Sequence, residues 1–299
     1  MALNLNALRV FVAVVEAKGF TRAATRLNLS QPAVSKAVLS LEQQLETPLL
    51  ERGGRTVKLT DAGAALHERA LELFAVERTA EEELRARRGL ETGVLRIGAS
   101  TTIATYLLPA FLGEFQSLHP GIVLEVLSAN TRDVLRSLRR RRLDVALVEG
   151  PVDDRGISVE PWRRDDLALI ASPDAPLIRD HGTSVSVQQL ADCPFIVRER
   201  GSGTREVAES VLAAHGVTMV PTLTLDSTEA VKQAVASGLG LAVISRAAAA
   251  DQLALGRVVE VQVNGLVIPR QLSVLRLIGR RVSAPAVAFE ALLFAQVIV

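Results

Sequence analysis

The sequence predicts a multidomain chain: an all-α head, a long connecting helix and a two-lobed α/β body. Three observations predict it. The 299 residues exceed one small module and suit two domains. The first sixty residues carry apolar positions at helical spacing, broken by capping and turn residues. From residue 94 onward, strand-length apolar runs alternate with capped helical segments. The alternation occurs twice, which means βαβ units and parallel sheets. A hydrophobic share of 48% against 22% charged residues supplies enough material for ordinary globular cores.

In the head, Leu5, Leu8, Val12 and Val15 fall at helical spacing, widened by Phe11 and Val14, and Gly19 ends this helix as a C′ residue. Thr21 caps a second helix over 22–27, and Asn28 turns the chain. Ser30 caps a third, with Pro32 in its first turn, where a missing N–H costs nothing. This helix runs to about Leu45, with Val34, Val38, Leu41 and Leu45 facing inward. Residues 48–60 then read as a hairpin whose Gly53-Gly54 turn is flanked by Arg52 and Arg55. Helix, tight turn, helix and hairpin make a winged helix-turn-helix.

Such a motif places its second helix in the major groove of double-stranded DNA and leads with its N-terminal residues. Here these are Ser30, Gln31, Pro32, Ala33, Ser35 and Lys36. Gln31 can donate and accept on one base edge, and Pro32 and Ala33 can meet a thymine methyl. Thr21 and Arg22, at the start of the preceding helix, join them. Arg52 and Arg55 suit phosphates, which set register rather than sequence preference. Residues 1–60 carry eight basic side chains against four acidic ones, a local net +4 within a chain of net +1. That bias suits a polyanion.

The motifs Leu5-Asn6-Ala7-Leu8-Arg9-Val10-Phe11, Phe20-Thr21-Arg22-Ala23-Ala24, Leu29-Ser30-Gln31-Pro32-Ala33-Val34-Ser35, Leu49-Leu50-Glu51-Arg52 and Leu59-Thr60-Asp61-Ala62-Gly63 follow in order. Together they closely resemble the LysR-type transcriptional regulators. Val38 and Leu50 stand where that family more often has isoleucine and phenylalanine, and both changes are conservative.

Residues 61–92 form the connector. Leu59, Leu66, Leu73 and Ala80 lie seven apart, as in a coiled-coil seam, while Glu77 interrupts the companion series Ala70, Glu77, Leu84. Two readings fit: a helix packed on its own domain, or one pairing with a second copy. The resemblance implies the second, a homodimer through this helix and a homotetramer built from it. The charged stretch 85–93, with Gly89 and Gly93, is the expected hinge.

Residues 93–299 form the body, with lobe I from 93–162 and 268–299, and lobe II from 163–267. In lobe I, strands are expected over 94–98, 122–127 and 144–148, with helices over 103–118, open to a restart at Pro109, and from Asn130 and Thr131 to Arg142. In lobe II, strands are expected over 195–197, 220–225 and 241–245, with helices over 205–215 and 229–237. Strand starts are 28 and 22 residues apart in the first copy and 25 and 21 in the second. Two such lobes joined by two crossing segments have the shape of periplasmic-type binding proteins. The apolar segment 284–299 should return to lobe I, and Trp162 and Arg163 should sit at the lobe junction.

Ligands of parallel α/β sheets sit at the carboxyl ends of the strands, and helix N-termini there attract anions. The sequence therefore predicts a small anionic effector between the lobes. Ser100, Thr101 and Thr102 would contact it from one side, and Gly201, Ser202, Gly203, Thr204 and Arg205 from the other. Asn130, Glu149 and Ser227 are second choices; helix capping alone also accounts for such Ser and Thr residues. The resemblance implies co-inducer binding in this cleft. Residues 198–205, Arg198-Glu199-Arg200-Gly201-Ser202-Gly203-Thr204-Arg205, are similar to the branch that regulates carbon fixation and sulfur assimilation. That suggests sulfur oxyanions, phosphorylated sugars or carboxylates.

Other chemistries find little support. His67, His119, His181 and His215 match no metal-ligand spacing, so no metal is expected. No acid, base and nucleophile set converges, and neither an enzyme nor a cofactor is expected. Glu206 stands where the third glycine of a dinucleotide fingerprint would be. Cys193, the one cysteine, reads as a small apolar residue. The four-arginine run 139–142 suits a helix C-terminus and a solvated face, with a second nucleic-acid contact as the alternative. The N-terminal stretch lacks the basic and uncharged apolar regions of an export signal, and no run suits a membrane span. The expected location is cytoplasmic, and a solute-binding protein would need an export signal.

Overall fold

The computed structural model describes residues 3–51, 57–86 and 92–295. The chain forms two compact units, Met1–Glu81 and Glu82–Val299.

In the first unit, helices α1 (Leu5–Glu16), α2 (Phe20–Leu27) and α3 (Gln31–Leu45) pack on one another, and α4 (Asp61–Ala86) follows the hairpin. Asn4 caps α1 by accepting from the Asn6 and Ala7 N–H groups. The C-terminus of α1 corrects the expectation for Gly19. Lys18 takes the left-handed position, with φ of 51°, and Gly19 is extended. The Lys18 N–H donates to Val15 O and the Gly19 N–H to Val14 O, a Schellman closure one residue earlier than expected. Helix α2 consequently starts at Phe20, and Thr21 lies inside it without capping it. Asn28 closes α2 in the left-handed conformation.

Helix α1 is buried almost all round from Ala7 to Val14, wider than the expected stripe. Its far side is covered from within the same unit. The Arg9 guanidinium lies 4.5 Å from the Phe74 ring and pairs with Glu77, and His67 meets Phe11 edge-on. Leu66, Leu71 and Phe74 of α4 pack on this core, whereas Leu73, Val76 and Ala80 are exposed.

The second unit begins with β1 (Gly93–Ser100), a π-helical turn (Ile103–Leu107), α5 (Leu108–Leu118), β2 (Ile122–Ala129), α6 (Thr131–Arg139) and β3 (Val145–Glu149). The helical stretch 103–118 is divided at the restart expected near Pro109, which sits in the first turn of α5. Helix α6 stops at Arg139, three residues short of the expected end, because Arg141 turns left-handed. Strand β4 (Ile157–Ala171) crosses to lobe II. There follow α7 (Pro176–His181), β5 (Ser184–Val185), a 3₁₀ turn, β6 (Phe195–Arg198), α8 (Gly203–Ala214), β7 (Pro221–Leu225), α9 (Thr228–Ala236), β8 (Ala242–Ser245), α10 (Arg246–Ala254), β9 (Val259–Glu260) and β10 (Gln262–Val263). Strand β11 (Ile268–Leu277) crosses back, and α11 (Ala284–Ala295) packs on α5 and β1 of lobe I.

One sheet runs β2-β1-β3-β11-β4-β8, with β9 also on β4. The pairs β1–β2 and β1–β3 are parallel, while the two crossover strands pair antiparallel over their length. In lobe II, β6 and β7 are parallel, and Phe195 bridges Leu241 in parallel. The order 2-1-3 in lobe I and 7-6-8 in lobe II each puts a topological switch point at the carboxyl ends of its strands. Trp162 sits on the crossing strand β4, as expected of a junction residue. It occupies the register shift between Leu272 and Ser273, and its side chain is buried in the lobe I core. Its Nε1–H donates to Leu293 O at 3.0 Å.

Candidate DNA-reading helix and interlobe site

At the reading end of the head, the Ser30 Oγ accepts from the Ala33 N–H at 3.3 Å and fixes the start of α3. Gln31, Pro32, Ala33, Ser35 and Lys36 are exposed around that start, while Val34, Val38 and Leu41 are buried behind it. A first turn fixed by a cap and a proline, with polar side chains outward, is a surface ready to meet base edges without refolding. Thr21 is exposed on α2. Arg22 has another occupation: its Nε donates to Ala17 O at 2.5 Å and its Nη2 to Lys18 O, so its charge closes the C-terminus of α1. Arg52 and Arg55 lie outside the described residues. The legs of their hairpin are described, with Leu50 bridging Leu59 and the Glu51 N–H donating to Lys58 O. The sequence reading missed how this hairpin is held. Glu42 Oε1, from α3, accepts from the Leu49 and Leu50 N–H groups at 2.7 and 3.1 Å. Gly63 approaches so closely that a Cβ would lie 2.0 Å from Leu49 O.

In the body, helix starts from the two lobes meet on both sides of the strand ends. On one side, Asn130 caps α6 and Ser202 caps α8. The Arg132 N–H donates to Gly201 O at 3.2 Å, and Thr131 Oγ1 donates to Glu149 O at 3.2 Å. A Cβ on Gly203 would lie 2.1 Å from Glu149 O, so only glycine permits this approach. On the other side, the π-helical turn brings Tyr106 of lobe I to Glu229 of α9, whose start is capped by Ser227. Ser100 and Thr102 are buried at the end of β1, with Ser100 Oγ accepting from the Ile103 N–H at 3.4 Å, and Thr101 is half-buried.

Buried charge threads this boundary. Arg270 of β11 is fully shielded, with its Nε and Nη2 2.7 and 2.6 Å from Asp165 Oδ2. Its Nη1 donates to Thr204 Oγ1 at 2.7 Å and lies 3.6 Å from Glu149 Oε1. Thr204 in turn donates to Glu149 Oε1 at 3.2 Å. Glu149, 2% exposed, leaves its Oε2 without a hydrogen bond. Arg198 forks onto Glu199 and donates to Thr228 Oγ1 and Asp226 O. Arg205 differs from its expected role as an open ligand: its guanidinium is held by Glu209 and by Arg198 O. Arg270, Lys232, Glu229 and Tyr106 had no sequence signal, since each gains its role from a partner in the other lobe or across the crossover.

Cys193 is half-buried against the lobe II core, and burial, followed by the Asp192 charge, pushes its thiol up. Among the described residues, no group of three His, Cys, Asp or Glu side chains could hold a metal ion. Nor is any helix among them long and apolar enough to cross a membrane.

A capped reading helix with a hairpin beside it, followed by two α/β lobes on crossing strands, defines a DNA-binding regulator with a ligand-sensing body. The chain belongs to the LysR family of bacterial transcriptional regulators. Residues 5–64 match the bacterial regulatory helix-turn-helix protein, lysR family, and residues 88–297 the LysR substrate binding domain. It is 38% identical to the uncharacterized HTH-type transcriptional regulator YeiE of Escherichia coli, over 88% of this chain and 87% of that one. It is 36% identical to the RuBisCO operon transcriptional regulator of Allochromatium vinosum, over 97% and 95%. It is 34% identical to the HTH-type transcriptional regulator CysL of Bacillus subtilis, over 89% and 88%. These names support the carbon-fixation and sulfur branch. The regulatory domain of CcmR from Synechocystis, solved in complex with 2-PG, superposes with a TM-score of 0.63 at 30% identity, covering 69% of this chain and 97% of that one. Full-length CbnR complexed with its target DNA shares the fold, with a TM-score of 0.71 at 21% identity over 98% and 99%. The chain is a transcriptional regulator with an effector-binding domain, not an enzyme.

Proposed function

We propose that this regulator binds promoter DNA through α3 and the adjoining hairpin, in the cytoplasm, under the control of a small anionic effector held between the lobes. The meeting of helix starts from both lobes carries the effector reading. Each start turns the positive end of a helix dipole to the same boundary, and its capped N–H groups would exchange a side-chain or backbone acceptor for the ligand's oxygens. Ser100, Thr101 and Thr102 are the lobe I contacts, and Ser202, Gly203 and Thr204 those of lobe II. The relative solved with 2-PG supports this chemistry. Because Ser100, Thr102, Ser202 and Thr204 are buried, ligand entry requires the lobes to part. The ligand then acts by favouring one lobe arrangement over another.

The head contacts are Ser30, Gln31, Pro32, Ala33, Ser35 and Lys36, with Thr21 beside them and Arg52 and Arg55 on phosphates. Arg22 serves them indirectly, by holding α1 against α2. The protein acts as a homodimer through α4, a reading supported by the exposed face Leu73, Val76 and Ala80. Assembly to a homotetramer has support in the edge strand β2, whose outer side pairs with no strand among the described residues and which exposes Val123, Val126 and Leu127. A melting-temperature screen of the full-length protein tests the effector reading, with 2-PG, sulfate, phosphate and small carboxylates beside neutral and cationic analogues. Anions should raise the melting temperature; stabilisation by neutral or cationic compounds alone would sink the anionic assignment.

A further inference from the structure

Lys232 is the most unusual side chain of lobe II. It is 2% exposed, yet it sits on α9 at the lobe boundary. Its Nζ donates to Ala248 O at 2.9 Å, lies 2.7 Å from Glu229 Oε1 and stands 5.0 Å from the centre of the Tyr106 ring. The Tyr106 hydroxyl, from the other lobe, donates to the same Glu229 oxygen. An ammonium from lobe II and a phenol from lobe I therefore converge on one carboxylate oxygen. Lys232 is shielded and Tyr106 half-buried, whereas the Glu229 side chain that receives them is 54% exposed. Burial pushes the Glu229 carboxyl up, but the hydrogen bonds from Lys232 and Tyr106 and the lysine charge outweigh it and hold the group below its ordinary range.

The geometry points to an oxyanion-binding subsite between the lobes, built by Lys232 and Tyr106 and occupied in this structure by the chain's own Glu229. A carboxylate or phosphate entering the boundary would take the position of Glu229 Oε1, and Glu229, already at the surface, would swing into water. No covalent step is involved: one anion replaces another on the same two donors. The pair is then a gate with a built-in competitor. Glu229 lowers the apparent affinity for any external anion by the fraction of time it occupies the donors. Lys232 and Tyr106 become specificity residues, since they accept an oxyanion and offer nothing to a cation. This inference rests on the anionic-effector reading above and adds the residues that would hold the charge.

The test uses the full-length protein, with acetate and 2-PG as probes. In Glu229→Ala the donors are left free. Acetate should then raise the melting temperature saturably, by about 3 °C, while the parent responds little. Adding Lys232→Met to that variant should abolish the acetate response, and adding Tyr106→Phe should weaken it. Glu229→Gln, which still fills the space, should not respond to acetate. Equal acetate responses in parent and Glu229→Ala, or a response that survives Lys232→Met, would overturn the subsite. If 2-PG stabilises the parent while acetate fails to act on Glu229→Ala, the subsite is wrong and the anionic-effector reading stands. If acetate acts selectively on Glu229→Ala while no anion stabilises the parent, the subsite is upheld and the effector reading falls.

Discussion

At the start of α3, Ser30 caps the helix and the residues around it face solvent; at the start of α8, Ser202 caps the helix and the residues around it are buried against the other lobe. The local device is the same, and its surroundings differ. In the head, the capped turn leaves Gln31, Ser35 and Lys36 with free polar groups, so a rigid surface is offered to a large, preformed partner. In the body, the Arg132 N–H already donates to Gly201 O and Thr204 to Glu149 across the boundary, and Thr131 donates to Glu149 O beside them. A site of that kind takes a ligand by exchanging internal contacts for external ones. Its affinity is therefore set by a competition inside the protein.

The sharpest way to break this comparison is to disturb the boundary. Arg270→Ala would leave both Asp165 and Glu149 without their shielded cation. The expected loss is about 3–5 kcal/mol, because removing one member of a buried pair strands the other charge. Urea unfolding of the body measures it, and an unchanged midpoint would mean that the boundary is less closed than its contacts imply.

The corresponding change in the head should leave stability almost untouched. Gln31→Ala removes an exposed side chain and should reduce discrimination at one base pair by about 1–3 kcal/mol. A mobility-shift series over substituted sites reads this directly, and unchanged discrimination would remove Gln31 from the reading set. The smallest effect is expected at Arg52→Ala. It should weaken specific and random DNA alike and lower the salt slope by about 1. An unaltered slope would take Arg52 off the phosphate.

Much of the frame was legible because it depends on neighbours in sequence. Ser30 was recognisable as a cap and Asn130, Ser202 and Ser227 as members of helix starts, and all four accept from the N–H three residues on, whereas Thr21, also read as a cap, does not. The strand-and-helix alternation from residue 94 follows from local periodicity and predicted the parallel pairs and the return of α11 to lobe I. Where two neighbouring residues competed for one role, local reading chose wrongly. Lys18 takes the left-handed position that was given to Gly19, because closing α1 one residue earlier brings Arg22 onto its last carbonyls.

A winged reading head, a long helix and a twice-repeated α/β body follow from the order of residues alone, since each is written in spacings of a few residues. What those elements share is set by packing between distant parts of the chain. Tyr106 finds Glu229 from 123 residues away, and Arg270 reaches Thr204 from 66. Such pairings are fixed by how two sheets and their crossover strands pack. A side chain that is buried only once two lobes meet carries no mark of it in its own neighbourhood along the chain.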